Sequence, residues 1–158
     1  MAACAGASLG RASARNHGTR RVTRLPGFLD TNVILRYFTL DPSDQGAAAR
    51  DLIDSADTLY ITHAILAETG YVLTSVYKTP RAEVVDRLIE LIHKQNITTW
   101  DGSRADTTAA LLLCRNSNRV AFADALLWAT ARASRTPVVY TFDQRFPEDG
   151  IHVRRPGG

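Results

Sequence analysis

The sequence predicts an α/β fold, a three-layer α/β/α sandwich around a short, mainly parallel central sheet. Three observations predict it. Between residues 28 and 154 short apolar stretches alternate with longer helix-like runs, the order that strand–helix–strand crossovers produce. The 158 residues are 45% apolar, enough for one domain with its own core. No internal repeat or linker interrupts the chain after residue 27.

Phe28–Asp30 reads as the first strand, with the helix Thr31–Thr39 directly behind it. A second helix runs from Pro42 to Ala56; a proline near a helix start costs nothing, because its missing N–H would have no partner there. Leu59–Thr62 is the second strand and His63–Tyr77 the third helix. The fourth helix begins at Pro80, with Thr79 as its cap, and runs to Gln95. Ile97–Trp100 is the third strand. The fifth helix, Ser103–Asn116, has Asp106 three residues after Ser103, in capping-box style, and Asp101 reads as a further cap for it. Phe122–Ser134 is the sixth helix, stopped by Pro137. Val138–Thr141 and Ile151–Arg154 complete the strands.

Charge is unevenly spread. Residues 1–27 hold Arg11, Arg15, Arg20, Arg21 and Arg24 and no acid. Removing these five from the 19 basic residues leaves 14 against 16 acids, so residues 28–158 carry −2 although the whole chain carries +3. The pI near 9.1 belongs to the extension, and no basic globular face follows from it. Residues 1–27 lack the apolar stretch of a secretory signal. They are expected to be a disordered extension or a start codon placed too early, with an organelle transit peptide as the alternative. Non-specific phosphate contact is the one binding role they suggest.

Cys4 and Cys114, the only cysteines, suggest neither a disulfide nor a zinc site. No apolar stretch approaches membrane-spanning length, and the expected location is the cytoplasm. Asn96-Ile97-Thr98 matches a glycosylation sequon by chance in a chain without a secretory signal.

Most acids read as solvated: Asp44, Asp51, Asp54, Glu83, Asp86 and Glu90 lie on polar helix faces beside Arg and Lys. Two do not. Glu68 has Ala64, Ile65, Tyr71 and Val72 at helical spacing, so it projects from an apolar stripe. Asp124 lies among Val120, Ala121, Leu127 and Trp128, in a helix that is apolar almost all round. A carboxylate in such surroundings needs a partner or a cation. For Asp124 a helix cap is an equal alternative; for Glu68 a salt bridge remains, with no basic residue three or four positions away. Asp30 and Asp143 end strands in FLD and VVYTFD, where parallel sheets place their sites. Each alone could be a cap, as could Thr31 or Asn32.

Suppose the four converge. Unit charges about 4 Å apart repel by about 4 kcal/mol at an effective dielectric near 20. Several such pairs stay ionised together only if protons or a cation compensate. An all-oxygen site suits Mg²⁺ or Mn²⁺, and that chemistry is phosphodiester hydrolysis. Competing motifs are absent: the sequence has no Walker loop, G-x-G-x-x-G, H-E-x-x-H or G-x-S-x-G. His17, His63, His93 and His152 are scattered and read as structural. A haloacid-dehalogenase-type site would want an acid where Asn32 stands.

LDTNVILRYF, AETGYVL, FADALLWATA and TFDQRF, in this order and at these intervals, resemble the successive motifs of PIN-domain proteins, and among them the VapC-type toxins of bacterial toxin–antitoxin pairs. The resemblance covers roughly residues 28–155. It implies a Mg²⁺- or Mn²⁺-dependent endoribonuclease that leaves 5′-phosphate and 3′-hydroxyl ends. Asp30, Glu68, Asp124 and Asp143 match the family's acidic quartet. Asn32 matches the residue that supports the first acid, and Thr141 the Ser/Thr before the last. It also implies a homodimer, an RNA substrate and an antitoxin partner whose tail enters the acidic pocket, often with an arginine. Where many such toxins read D-F-x-D, this chain has Ala121-Phe122-Ala123-Asp124; the missing acid implies weaker hold on the ion.

Arg36, Lys78, Arg119 and Arg145 lie near the motifs in sequence and are candidate phosphate contacts, with a solvated face as the alternative for each. Tyr71 and Trp128 read as core before stacking platform. Rival readings keep the fold: a PIN-like RNA-binding or assembly module without catalysis, an RNA-processing or repair nuclease, or acids that are purely structural.

Overall fold

A computed structural model of the chain describes residues 25–116 and 118–157; most of the basic extension, residues 1–24, lies outside the described residues. Three strands, β1 (Gly27–Phe28), β2 (Leu59–Ile61) and β3 (Ile97–Thr99), form a parallel sheet in that order. Gly27 pairs with Leu59 and Leu59 with Ile97. Two further strands, β4 (Val138–Tyr140) and β5 (His152–Arg154), form a second parallel ladder. The single central sheet expected from the sequence is thus two ladders. β1 is only two residues long, and the N–H groups of Gly27 and the following Leu29 bond to the β2 side.

Side chains alternate across a strand. Leu29, Leu59, Ile61 and Ile97 therefore share a buried face, while Phe28, Tyr60 and Trp100 stand on the opposite one. Among the described residues six helices accompany the strands: α1 (Thr31–Thr39), α2 (Ser43–Ile53), α3 (His63–Ser75), α4 (Arg81–Ile92), α5 (Arg104–Leu113) and α6 (Phe122–Ala133). The core joins Ile34, Ile53, Leu66, Leu73, Leu88, Leu111 and Leu126 with the buried strand residues. The α/β fold expected from the alternation is the one observed.

Two caps differ from expectation. Thr79 does not cap α4; Pro80 holds the N-cap position, without a side-chain bond. Pro42 likewise stands at the N-cap of α2, one place before its first turn. Asp101 does not cap α5. Its Oδ2 accepts from the backbone N–H of His63, the first residue of α3, where Thr62 also accepts from Ile65. The capping role at α5 belongs to Ser103, whose Oγ accepts from the N–H of Asp106 at 3.0 Å. Helix ends also fall short of the sequence expectation, α5 at Leu113 instead of Asn116.

The acids read as solvated behave so where they have partners. Arg87 pairs with Glu83, Lys94 with Asp54 and Arg115 with Asp86; the Lys94 hydrogen bond holds the Asp54 carboxyl below its ordinary range. His63 is structural, as expected. Its ring is buried between the hydroxyls of Thr130 at 2.8 Å and Thr107 at 2.9 Å, tying α3 to α6 and α5. Burial lowers its pKa, with the Asp101 charge opposing.

Candidate active site

The strand-to-helix passage at Asp30 is built by capping. Asp30 has extended backbone and its Oδ2 accepts from the N–H of Asn32 at 3.1 Å, so the first acid is the N-cap of α1. The support that Asn32 gives Asp30 thus comes from its backbone. The next residue, Thr31, is buried and donates its hydroxyl to Oε2 of Glu68 at 2.6 Å. This bond crosses 37 positions of sequence and brings the acid of α3 beside the end of β1. Glu68 is exposed, and its neighbour Thr69 carries a buried hydroxyl without a hydrogen-bond partner.

Asp124 lies in the first turn of α6, but Ala121 is the N-cap and no side chain caps this helix. The cap reading of Asp124 therefore fails. Its carboxyl pKa is raised, first by burial and then by the charge of Asp143, with Arg145 opposing. Asp143, just beyond β4, is held by a turn: its N–H donates to Thr141 Oγ1 at 3.0 Å, and its Oδ1 accepts from the N–H of Arg145 at 2.9 Å. Thr141 supports the last acid in this way. The Arg145 side chain stands 3.7 Å from the same oxygen.

The four acids thus form two pairs, Asp30 with Glu68 through Thr31, and Asp124 with Asp143. Helix packing joins the pairs, because α3 and α6 lie against each other. At Gly70 the contact is close: a Cβ there would stand 2.9 Å from two atoms of the Phe122 ring. Among the described residues no three acids, histidines or cysteines are gathered closely enough to hold a metal ion. The donor chemistry nevertheless suits one. All four groups offer oxygen alone, which hard divalent cations take, and the Asp143 charge adds to burial in raising the Asp124 pKa.

The basic candidates scatter. Arg145 stands at the acids. Arg36 is engaged at the α1–α2 corner, donating to Gln45 Oε1 and to the Asp41 carbonyl. Lys78 lies exposed in the α3–α4 turn, and Arg119 exposed in the α5–α6 loop. Trp128 is core, with its indole N–H donated to the Asp149 carbonyl. Tyr71 is not core; it is 64% exposed, on the same side of α3 as the exposed Glu68 three positions before it.

Sequence reasoning missed Arg81. Its guanidinium donates to the carbonyls of Cys114 and Val120, both at 2.6 Å, and lies 4.3 Å from the Phe122 ring centre. It pins the loop that leads into α6 and so sets where Asp124 emerges. Arg81→Ala leaves two carbonyls without these donors, and charged hydrogen bonds are worth about 1.5–3 kcal/mol each. The expected loss is about 3 kcal/mol of stability, the low end for two such bonds because Arg81 is only part-buried; it is read by urea unfolding, and Arg81→Lys should recover part of it. Unfolding of Arg81→Ala at the parental midpoint would refute the role.

The motifs quoted above and the geometry agree with a comparison against protein families. The PIN domain model matches residues 27–149, starting at the first residue of β1. Comparison with curated proteins finds no match. The chain belongs to the PIN domain family, whose members are generally nucleases.

Proposed function

We propose that the chain is a divalent-metal-dependent endoribonuclease and the toxin of a type II toxin–antitoxin pair. The observation that carries the catalytic part is the Asp124–Asp143 pair, two carboxylates from different parts of the chain: burial first, and then the Asp143 charge, raise the Asp124 pKa, with Arg145 opposing. Asp30, Glu68, Asp124 and Asp143 would hold Mg²⁺ or Mn²⁺. When bound, such an ion lowers the pKa of an attacking water and offsets charge on the phosphodiester oxygens. Thr31 orients the Glu68 carboxylate and keeps it at the end of β1. The Thr141 turn aims Asp143. Arg145, exposed beside Asp143, meets the phosphate backbone.

The substrate is RNA in single-stranded or looped form, because the backbone must reach a pocket between helices. An antitoxin arginine entering the pocket would offset the acids as the cation does. The homodimer and the cytoplasmic location belong to the same reading; no helix among the described residues is long and apolar enough to cross a membrane.

The test is cleavage of labelled RNA by the purified chain with Mn²⁺, with Mg²⁺ and with EDTA. Turnover that needs the metal, and growth arrest on expression relieved by a neighbouring gene, support the full reading. Turnover without growth arrest reduces it to an RNA-processing nuclease. One observation favours a non-catalytic module: Ala121, where the resemblance expects another acid, is the exposed N-cap of α6. Neither Mn²⁺ binding nor turnover would establish that alternative.

A further inference from the structure

The open face of the β1–β2–β3 sheet carries three aromatic rings in mutual contact. Ring centres lie 5.3 Å apart for Phe28 and Tyr60, 5.0 Å for Phe28 and Trp100, and 5.2 Å for Tyr60 and Trp100. Phe28 is 58% and Trp100 59% exposed. Register builds the cluster: Phe28 is paired with Tyr60 across the ladder, and the Trp100 N–H bonds to the Ile61 carbonyl at the end of β3. No pair is stacked face to face, since the interplanar angles are 40°, 71° and 75°.

We propose that this cluster is a stacking platform for the bases of a single-stranded nucleic acid whose backbone crosses the acidic site; the proposal rests on the nuclease reading above. Position is the first argument. Phe28 stands two residues before Asp30, a reach of about 7 Å along an extended strand. Trp100 directly precedes Asp101, which holds the first turn of the helix bearing Glu68. Phe28 and Trp100 therefore stand at the carboxyl ends of β1 and β3, the end of the sheet from which Asp30 follows.

Charge is the second argument. Residues 28–158 carry −2, so the domain itself offers a polyanion no net attraction. Stacking needs no charge and accepts any base, at about tenfold or more in affinity per base. Size is the third. A fully buried aromatic side chain covers about 150–250 Å², and two of these rings are little more than half exposed. The cluster falls well short of the roughly 800 Å² per partner of a stable protein–protein interface, so a second copy of the chain is the poorer occupant.

The test uses the full chain in EDTA, where binding is read without cleavage. The probes are a short labelled oligoadenylate RNA and an abasic strand of the same length. Trp128 is buried, so quenching of tryptophan fluorescence reports Trp100. Trp100→Leu should bind the RNA about tenfold more weakly, Trp100→Phe should keep most of the affinity, and the abasic strand should bind the parent no better than the RNA binds Trp100→Leu. Phe28→Leu serves as the second variant if Trp100→Leu melts early. Equal affinity for both strands, or parental affinity in the folded leucine variants, overturns the platform. So does a shift from dimer to monomer in Trp100→Leu at unchanged RNA affinity, which assigns the rings to a second copy. Base-dependent binding by a chain that never cleaves with Mn²⁺ supports the platform and sinks the nuclease reading; cleavage with base-independent binding does the reverse.

Discussion

Asp124→Asn is expected to lower metal-dependent RNA cleavage by at least about 100-fold while leaving the fold as stable as the parent, or more so. The two halves of this result separate a functional acid from a structural one. Asp124 sits in the first turn of α6 without capping it, so its removal costs no cap. Burial and the Asp143 charge both raise its pKa above the ordinary 3.8. A carboxyl whose pKa is higher folded than unfolded holds its proton more tightly in the folded state. Its contribution is therefore most favourable in acid, and stability falls as pH rises from the ordinary carboxyl value through the raised folded one. At neutral pH the parent carries the whole repulsion and asparagine carries none. Thermal melts in EDTA across that window, beside cleavage assays with Mn²⁺, give the measurement. The parent should lose melting temperature relative to the variant on going from acid to neutral pH. Parental turnover by Asp124→Asn would remove Asp124 from the site. A variant that is inactive only because it melts early would make the acid structural.

The contrast between these acids and the rest of the chain shows where sequence carries information. A charge among alanines and leucines at helical spacing is visible without coordinates, because burial of a carboxylate is unfavourable whatever the fold. Glu68 and Asp124 are conspicuous in the sequence for that reason; Asp124 is part-buried as the pattern implies, whereas Glu68 is exposed, on a side of α3 where Tyr71, three positions on, is exposed as well. Local chemistry was equally readable: Ser103 and Asp106 are three positions apart and bond as such, and Pro42 and Pro80 mark helix starts. Contacts between distant segments were not. Asp101 lies two positions from Ser103 and looked like its cap, yet its carboxylate bonds to His63, 38 positions away. By sequence Thr31 is one of three capping candidates, yet its hydroxyl bonds to Glu68, 37 positions away. Arg81 reaches carbonyls 33 and 39 positions on, with nothing local to signal it. Tyr71 was misplaced for a related reason: α3 is apolar on more sides than α6 covers, so hydropathy could not say which side faces water.

Gly70→Val is expected to destabilise the fold by about 3 kcal/mol and to reduce cleavage well below the melting temperature. Glycine inside a helix ordinarily costs about 0.5–1 kcal/mol relative to alanine, so a tolerant site would gain from substitution. Gly70 is not tolerant. A Cβ would meet three atoms of the Phe122 ring at 2.9 to 3.0 Å. That ring is itself buried and lies beneath the Arg81 guanidinium, so it has little room to withdraw. Forcing in one methyl costs about 1–3 kcal/mol in a packed core, which already offsets or exceeds the helix gain for alanine. Valine adds two more methyls against the same ring, and overpacking wins. The melting temperature should fall by roughly 6–12 °C. Relief of the clash moves α3 away from α6, and those two helices carry Glu68 and Asp124. Activity at temperatures where the variant is fully folded should therefore drop as well, an effect that a purely energetic loss would not give. Phe122→Leu in the valine background removes the ring and should restore both melting and turnover in part. Parental melting by Gly70→Val, or failure of the double variant to recover either property, would show that the α3–α6 contact does not set the distance between the two acid pairs.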